Sequence, residues 1–209
     1  MSFRKIIALA LCVAAFTLSS AHAQSKIALV DMKKLFEGYY KTMQAGLQVA
    51  DTLAESEKTL KGMLEEYEKG GEEYKKLLDS ANDQAVNADE RAKRKTSAEK
   101  KLLEIQEIEK SVTQFRRTTQ VNINERNKRM RDEIVKQIRD IVAQKAKAGS
   151  YNLVFDSSGE SFNQTPVVLY SEGASDLTKE ILTELNSKIS PDQLADLQKK
   201  TEAMNSAKK

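Results

Sequence analysis

KIALVD, residues 26–31, is a short run of apolar, β-favouring residues that ends in an aspartate. Such a run predicts a strand over Lys26–Val30. Asp31 can accept hydrogen bonds from the first free N–H groups of a helix, so it predicts a helix that begins at Met32. The folded part of the chain therefore starts with a strand that leads directly into a helix.

The region after this start carries the pattern of a long amphipathic helix. Between Gly46 and Leu78, mostly apolar residues recur at alternating spacings of four and three, and charged residues fill most positions between them. A narrow apolar seam of this kind is typical of a coiled coil. Gly70 and Gly71 weaken the seam, because glycine destabilises a helix interior by about 1 kcal/mol, so we expect local flexibility or a kink there.

The polar segment DSANDQAVNAD, residues 79–89, is the best break in this pattern because it has few large apolar residues. Asn87, with Glu90 three residues later, is a candidate N-cap of a second helix. That helix is predicted to run to about Ala148, with Gly149 as its terminating residue. Residues 43–148 therefore predict a helical hairpin, called the arm below, with its tip near residues 79–89.

After the arm, the pattern changes to short apolar runs. YNLVFD (residues 151–156) and PVVLY (residues 166–170) predict two strands, separated by a polar turn over residues 157–165. A helix is predicted over residues 177–189. Ser190-Pro191 then starts a shorter helix, because serine is favoured at the N-cap and proline at the next position.

Together these elements predict an α+β fold dominated by helix. Strands from both ends of the chain pair in a small body (residues 24–42 and 149–190), the arm is inserted into it, and residues 191–209 form a tail. A body of this size has a marginal core, so oligomerisation through the body is expected. The strand residues expected to build the core and the subunit contact are Leu29, Val30, Val154, Phe155, Val168 and Leu169.

Residues 1–23 have the layout of a cleaved secretory signal peptide. Arg4 and Lys5 precede an apolar run over residues 6–18, and Ala21-His22-Ala23 is a small-x-small cleavage site. The run is shorter than the roughly 20 residues that span a bilayer. Cys12 lies inside it, away from the place where a lipoprotein needs its cysteine. We therefore expect an exported, soluble product without a lipid anchor.

The composition after residue 23 excludes several classes of function. No Cys, His or Trp remains, so a metal site, a haem or a Ser-His or Cys-His nucleophile lacks its thiolate or imidazole. The sequence also lacks a glycine-rich phosphate loop. We therefore predict no enzyme activity, no metal and no cofactor, and the export signal disfavours nucleic acid as a partner.

Charge is divided unevenly along the arm. Residues 31–87 carry a net charge of −4, and residues 88–148 carry +7. A basic cluster just past the predicted tip consists of Arg91, Lys93, Arg94 and Lys95. This cluster is either a solvated helix face or a surface that attracts an acidic partner, such as anionic lipid head groups or acidic polypeptide.

The order of these segments resembles the Skp/OmpH family of periplasmic chaperones for outer-membrane proteins. The resemblance rests on KIALVD leading into Leu35-Phe36 and Tyr39-Tyr40-Lys41, on the long charged hairpin, on YNLVFD followed by VVLY, and on Asp176-Leu177-Thr178. It covers almost all of the chain after residue 23. The departures are the extended loop over residues 157–165 and the tail.

The resemblance implies a periplasmic homotrimer whose three arms enclose a cavity. Unfolded outer-membrane β-barrel precursors, called clients below, would be held there without ATP, through many weak contacts that add up by avidity. The arm residues implied as apolar client contacts are Leu60, Leu64, Tyr67, Tyr74, Phe115, Ile123 and Met130. Their alternative role is packing between the two helices of one arm. The rival interpretation of the whole chain is a structural coiled-coil scaffold or spacer of the cell envelope.

Overall fold

The computed structural model describes residues 25–83 and 85–207. The predicted signal peptide, residues 1–23, lies outside these residues. Helix dominates the described chain and a small three-stranded sheet accompanies it, which confirms the predicted helix-rich α+β fold. The strands are β1 (Ile27–Val30), β2 (Leu153–Asp156) and β3 (Ser175–Asp176), and the helices are α1 (Met32–Gly38), α2 (Tyr40–Ala81), α3 (Ala88–Ala148), α4 (Thr178–Leu185) and α5 (Pro191–Ser206).

The sheet joins the two ends of the chain. Its order is β2-β1-β3, and both pairings are parallel. Ile27 lies opposite Leu153, and Leu29 lies opposite Phe155. Parallel neighbours need a crossover connection, and here the connection between β1 and β2 is the whole arm. The arm is therefore an insertion between two strands that lie side by side.

One face of the sheet packs on the core of the body. Because side chains alternate along a strand, Ala28 and Val30 point into this core while Ile27 and Leu29 point away. The base of α3 closes the core together with α1 and α4, so the last turns of the arm belong to the body. The buried core residues are Ala28, Val30, Leu35, Tyr39, Ile134, Ile138, Leu177, Ile181 and Leu185.

The predicted helix boundaries are confirmed where a cap residue marked them. The carboxylate of Asp31 and the side-chain carbonyl of Asn87 each accept a hydrogen bond from the backbone N–H three residues on, at 2.8 Å. Ser190 forms a reciprocal capping box with Gln193, which is the complete form of this signal. Gly149 caps the end of α3.

The predicted strand over Pro166–Tyr170 is wrong. Its proline has no N–H to donate to a sheet, and the N–H of Val167 donates instead to the carbonyl oxygen of Gly159 at 2.8 Å. Val168 and Leu169 therefore lie outside the sheet in the described chain. The third strand is β3, which pairs with the other edge of β1 and was not predicted.

One expectation about a helix end is also wrong. The helix predicted over residues 177–189 ends at Leu185, because the next residue, Asn186, turns its side chain to the backbone at the start of α2. α2 continues through Gly70 and Gly71, and the local flexibility or kink expected at these glycines stays a prediction.

Candidate functional site

The arm is a pair of antiparallel helices that meet along one seam. Arg94 contacts Ser80 near the tip, and Arg126 contacts Thr52 nearer the base. The α3 side of the seam is one row of residues, spaced by seven near the tip and by eleven nearer the base, which keeps the row on one face of the helix. The buried α3 residues of this row above the body are Ala98, Ile105, Val112 and Ile123.

Gly70 fits this seam because it has no side chain. It is buried against Ile105, and a Cβ at this position would lie 3.1 Å from Cγ1 of Ile105. That distance is shorter than the optimal carbon–carbon separation of about 3.5–4.0 Å. A Cβ on the neighbouring Gly71 would meet open space. The two glycines therefore differ: the first serves packing, and the second makes no contact that needs glycine.

Polar contacts also join the two helices at intervals. Nζ of Lys101 lies 2.9 Å from Oε2 of Glu73, and its hydrogen bond lowers the pKa of the Glu73 carboxyl. Arg126 donates to Oε1 of Gln48 at 3.3 Å. Exposed pairs of this kind contribute little free energy, so they help to set the register of the helices more than they hold the arm together.

The structure divides the seven arm candidates into two groups. Ile123 is buried between the helices, so its apolar surface serves packing within the arm. The others lie at the edges of the seam and keep part of their surface in water; Tyr67 is 37% exposed. These six seam-edge residues are Leu60, Leu64, Tyr67, Tyr74, Phe115 and Met130.

The basic cluster also divides. Arg91 donates from its guanidinium to the carbonyl oxygen of Val86 at 3.0 Å. Arg94 pairs with Glu90 at 3.2 Å and donates to Ser80. The two arginines therefore hold the tip of the arm, whereas the two lysines of the cluster, Lys93 and Lys95, are exposed.

The second face of the sheet is open in the described chain. Register and alternation place Ile27, Leu29, Leu153 and Phe155 together on it. A groove of about 1120 Å³ runs along this face, and Val167–Tyr170 form its other wall. Monomeric proteins rarely expose large contiguous apolar patches, so this open face is suited to burial against another molecule.

The six body candidates are consequently split between the two faces. Val30 is buried in the core, and Val154 packs against it. Leu29 and Phe155 belong to the open face, where Phe155 is 43% exposed. The remaining two candidates, Val168 and Leu169, come from the segment outside the sheet and line the groove instead of building the core.

The foot of the arm is fastened to the body by polar contacts. Nζ of Lys145 lies 2.8 Å from Oε1 of Glu180 and 2.7 Å from Oε2 of Glu184, and these hydrogen bonds raise the pKa of Lys145. The hydroxyl of Tyr39 donates to Oε1 of Gln137 at 2.9 Å, and burial raises the pKa of Tyr39. The base of α3 therefore has a fixed position on the body.

Two polar residues of the body make contacts that the sequence analysis did not predict. The hydroxyl of Thr178 accepts the N–H of Asp31 at 2.8 Å. The Asn186 amide accepts the N–H of Tyr40 and donates to the carbonyl oxygen of Gly38, both at 2.9 Å. Single polar residues at helix ends carry no periodic pattern, so no sequence signal separates them from ordinary solvent-facing residues.

The C-terminal helix α5 packs on α2 near the base of the arm. Cε of Met204 lies 3.9 Å from the place of a Cβ on Gly46. The sequence predicted a helix after Ser190 but gave no sign of this contact. The residues of α5 that are half-buried share one face: Leu194, Leu197, Thr201 and Met204.

Within residues 25–83 and 85–207, no group of three or more His, Cys, Asp or Glu side chains is placed to hold a metal ion. No helix in the same part of the chain combines the length and the apolar character needed to cross a membrane. The apolar and charged surfaces described above, namely the edges of the arm seam, the tip of the arm and the open sheet face, are the candidate functional surfaces.

A family model described as "Outer membrane protein (OmpH-like)" matches residues 26–185. The match extends from β1 to the end of α4 and includes both arm helices, and it stops before α5. No curated protein matches the chain.

Proposed function

The chain belongs to the OmpH-like family, which indicates a chaperone type of role towards outer-membrane proteins, and from this premise we propose that it is an ATP-independent periplasmic holdase. In this proposal, it binds unfolded outer-membrane protein precursors in a cavity between helical arms and prevents their aggregation before membrane insertion. Residues 1–23 direct export and are then removed. The working form is a homotrimer.

The observation that carries the proposal is the apolar surface left at the edges of the arm seam. Two helices alone cover one row of side chains, so the six seam-edge residues keep part of their surface in water. An unfolded β-barrel precursor exposes alternating apolar residues and unpaired strands, and it aggregates through both. Many shallow contacts along the arm would shield such a chain without trapping it at one place.

The open sheet face supports the oligomeric part of the proposal. Leu29, Phe155 and the wall Val167–Tyr170 offer an apolar surface that one chain leaves uncovered. Burying this face between copies would join the bodies and hold several arms around one space. Arms joined in this way act at high effective concentration on a single client, which raises the net affinity far above that of each contact.

A dilution experiment tests the holdase directly. A β-barrel protein unfolded in denaturant is diluted into buffer with the purified exported chain and without nucleotide, and light scattering reports aggregation. We expect suppression at about one oligomer per client. No suppression by a stable oligomer would reject the holdase and favour the structural scaffold of the cell envelope.

A pair of arm variants shows whether the seam edge carries the contacts. Leu64→Ser removes apolar surface at the seam edge, and Leu103→Ser removes it from the side of α3 that faces away from α2, where Leu103 is 62% exposed. Binding through the seam predicts weaker suppression for the first variant and little change for the second. Equal losses in both variants would contradict a seam-specific contact.

The tip lysines need a separate test, because the seam contacts do not depend on them. Lys93→Gln with Lys95→Gln removes two exposed charges at the start of α3, and Lys75→Gln with Lys76→Gln removes two exposed charges from α2 as the matched control. Attraction of an acidic partner predicts weaker binding to vesicles of anionic lipid for the first pair only. Equal binding of the two double variants to the vesicles would indicate that the basic cluster is only a solvated helix face.

A further inference from the structure

We propose that the base of α2 is an additional binding strip for unfolded polypeptide, and that α5 occupies this strip until a client displaces it. The strip is the apolar row on α2 that begins at Gly46, where Met204 of α5 lies, and continues through Ala50 and Leu53. This inference rests on the proposed holdase function. It adds a defined place to the client surface and gives the C-terminal helix a role as internal competitor.

The strip is the lower end of the row that carries the seam-edge residues of α2. Gly46, Ala50 and Leu53 follow one another at spacings of four and three, and the same row continues through Leu60 and Leu64. Gly46 and Ala50 have little or no side chain, so the row is shallow at this end. A client that follows the row from the tip towards the body therefore reaches the place where α5 lies.

α5 offers the strip an apolar face without any polar attachment to it. The face Leu194, Leu197, Thr201 and Met204 is half-buried, and no residue of α5 is fully buried. Within the described chain, the side-chain hydrogen bonds and ion pairs of α5 stay inside the helix and its cap, as between Lys200 and Asp196. α5 can therefore leave α2 without breaking a polar contact.

The two helices after the arm differ in this respect. α4 is fastened by three buried residues and by the ion pairs of its glutamates with Lys145. α5 begins after a five-residue linker, residues 186–190, and makes only shallow apolar contacts. Methionine, which places its end against Gly46, is a flexible side chain that suits reversible and unspecific contacts. From this difference we infer that α5, and not α4, is the helix that leaves its place when a client binds.

α5 is also built to return after it has left. Its capping box and its proline at the first helical position keep α5 helical from its first turn. Asn186 holds the preceding residues to the backbone of Gly38 and Tyr40, so the tether is short. A short tether gives α5 a high effective concentration at the strip. Clients then bind the strip only against this competition.

Competition of this kind has a measurable size. If α5 covers the strip for most of the time, the apparent affinity for clients falls by the fraction of chains in which the strip is free. Detaching α5 should then tighten client binding by about three- to tenfold.

The test uses the whole exported chain with a denaturant-unfolded β-barrel as client. Leu197→Glu places a charge on the docking face of α5, and Gln198→Glu places the same charge on its exposed face as the matched control. We expect Leu197→Glu to lower the client dissociation constant about three- to tenfold and Gln198→Glu to leave it unchanged. Unchanged or weaker binding by Leu197→Glu would overturn the inference.

Hydrogen exchange of the unaltered chain gives a second readout that does not depend on a variant. Client displacement of α5 predicts faster exchange of its backbone amides when the client is bound, while the amides of α4 stay protected. Unchanged or slower exchange in α5 would overturn the inference, even where aggregation is suppressed normally. Failure of the unaltered chain to suppress aggregation would instead reject the holdase itself, and the strip with it.

Discussion

The body and the arm bury the same kinds of apolar side chain, but they bury them to different depths. In the body, Leu35, Ile138 and Ile181 have no exposed surface, because a sheet face and helices surround them. In the arm, two helices meet along one row, and the large side chains of this row, Ile105, Val112 and Ile123, keep 8–9% of their surface exposed. The body therefore carries most of the packing free energy, and the arm keeps apolar surface free for contacts outside itself.

The largest difference in mutational effect is expected between the two faces of the sheet. Val30→Asp places an unpaired charge in the core of the body and should destabilise the fold by about 4 kcal/mol or more. Phe155→Asp places the same charge on the open face, so the chain should fold and the oligomer should dissociate. Circular dichroism measures the fold, and light scattering measures the mass. A folded Val30→Asp or an undiminished Phe155→Asp oligomer would contradict the assignment of the faces.

α3 belongs to the arm and, at its base, to the body. The same substitution, Ile to Ala, can therefore be made in each region. Ile138→Ala empties a closed site in the body and should lower the free energy of unfolding by about 3 kcal/mol. Ile105→Ala removes the same atoms from the arm seam, where the helices can close in, and should cost about 1 kcal/mol. Urea unfolding measures both values.

Chain concentration has to be equal in these experiments, because the stability of an oligomer depends on it. Equal losses for the two variants would mean that the arm is packed as tightly as the body. That outcome would contradict the difference in packing between the body and the arm, and with it the argument that the arm has apolar surface free for clients.

The contrast between the regions also explains how much the sequence could predict. The arm is one continuous segment of the chain. Its seam, its tip and the cap at Asn87 could therefore be predicted from the spacing and the type of the residues in that segment. The body is non-local: β3 pairs with β1 from a distance of almost 150 residues. Two residues, Ser175 and Asp176, form that strand, whereas PVVLY has the better strand composition and lies outside the sheet, with a single bridge between Pro166 and Glu160.

The seam of the arm could also be predicted only in part from the sequence. The seam row was visible as an alternation of apolar and charged residues, but Ile123 and Tyr67 follow the same pattern and differ in burial. Which side of the row meets the other helix depends on how the two helices dock. The contact of α5 with Gly46 depends on tertiary geometry in the same way.

Substitutions at the two adjacent glycines, Gly70 and Gly71, test how closely the two arm helices pack. Gly71→Ala should stabilise the arm by up to about 1 kcal/mol, because alanine favours a helix and its Cβ meets open space. Gly70→Ala gains the same propensity but brings a Cβ to 3.1 Å from Ile105, so its net effect should be zero or destabilising. Hydrogen exchange of the arm amides measures both. Equal stabilisation by the two variants would show that the helices are free to move apart at Gly70.

The smallest expected difference concerns two helix caps, one in each region. Asp31→Ala removes the cap of α1 in the body, and Asn87→Ala removes the cap of α3 at the tip. Each should cost about 1 kcal/mol near pH 7. Only the Asp31 cap titrates. Burial alone would raise the pKa of Asp31, but hydrogen bonds from Lys34 outweigh burial and hold it below the ordinary value of 3.8.

A folded-state pKa below the unfolded value has a definite sign. The contribution of the Asp31 charge is complete above the unfolded pKa, and it is lost as the pH falls through the lowered folded pKa. The deficit of Asp31→Ala in urea unfolding should therefore shrink as the pH falls from about 5 to below the ordinary value of 3.8, while the deficit of Asn87→Ala stays constant because an amide does not titrate. A deficit of Asp31→Ala that stays constant over this range would mean that the cap acts through geometry alone. In that case the charge of Asp31 would add nothing to its cap, and the caps of α1 and α3 would stabilise their helices to the same extent as neutral hydrogen-bond acceptors.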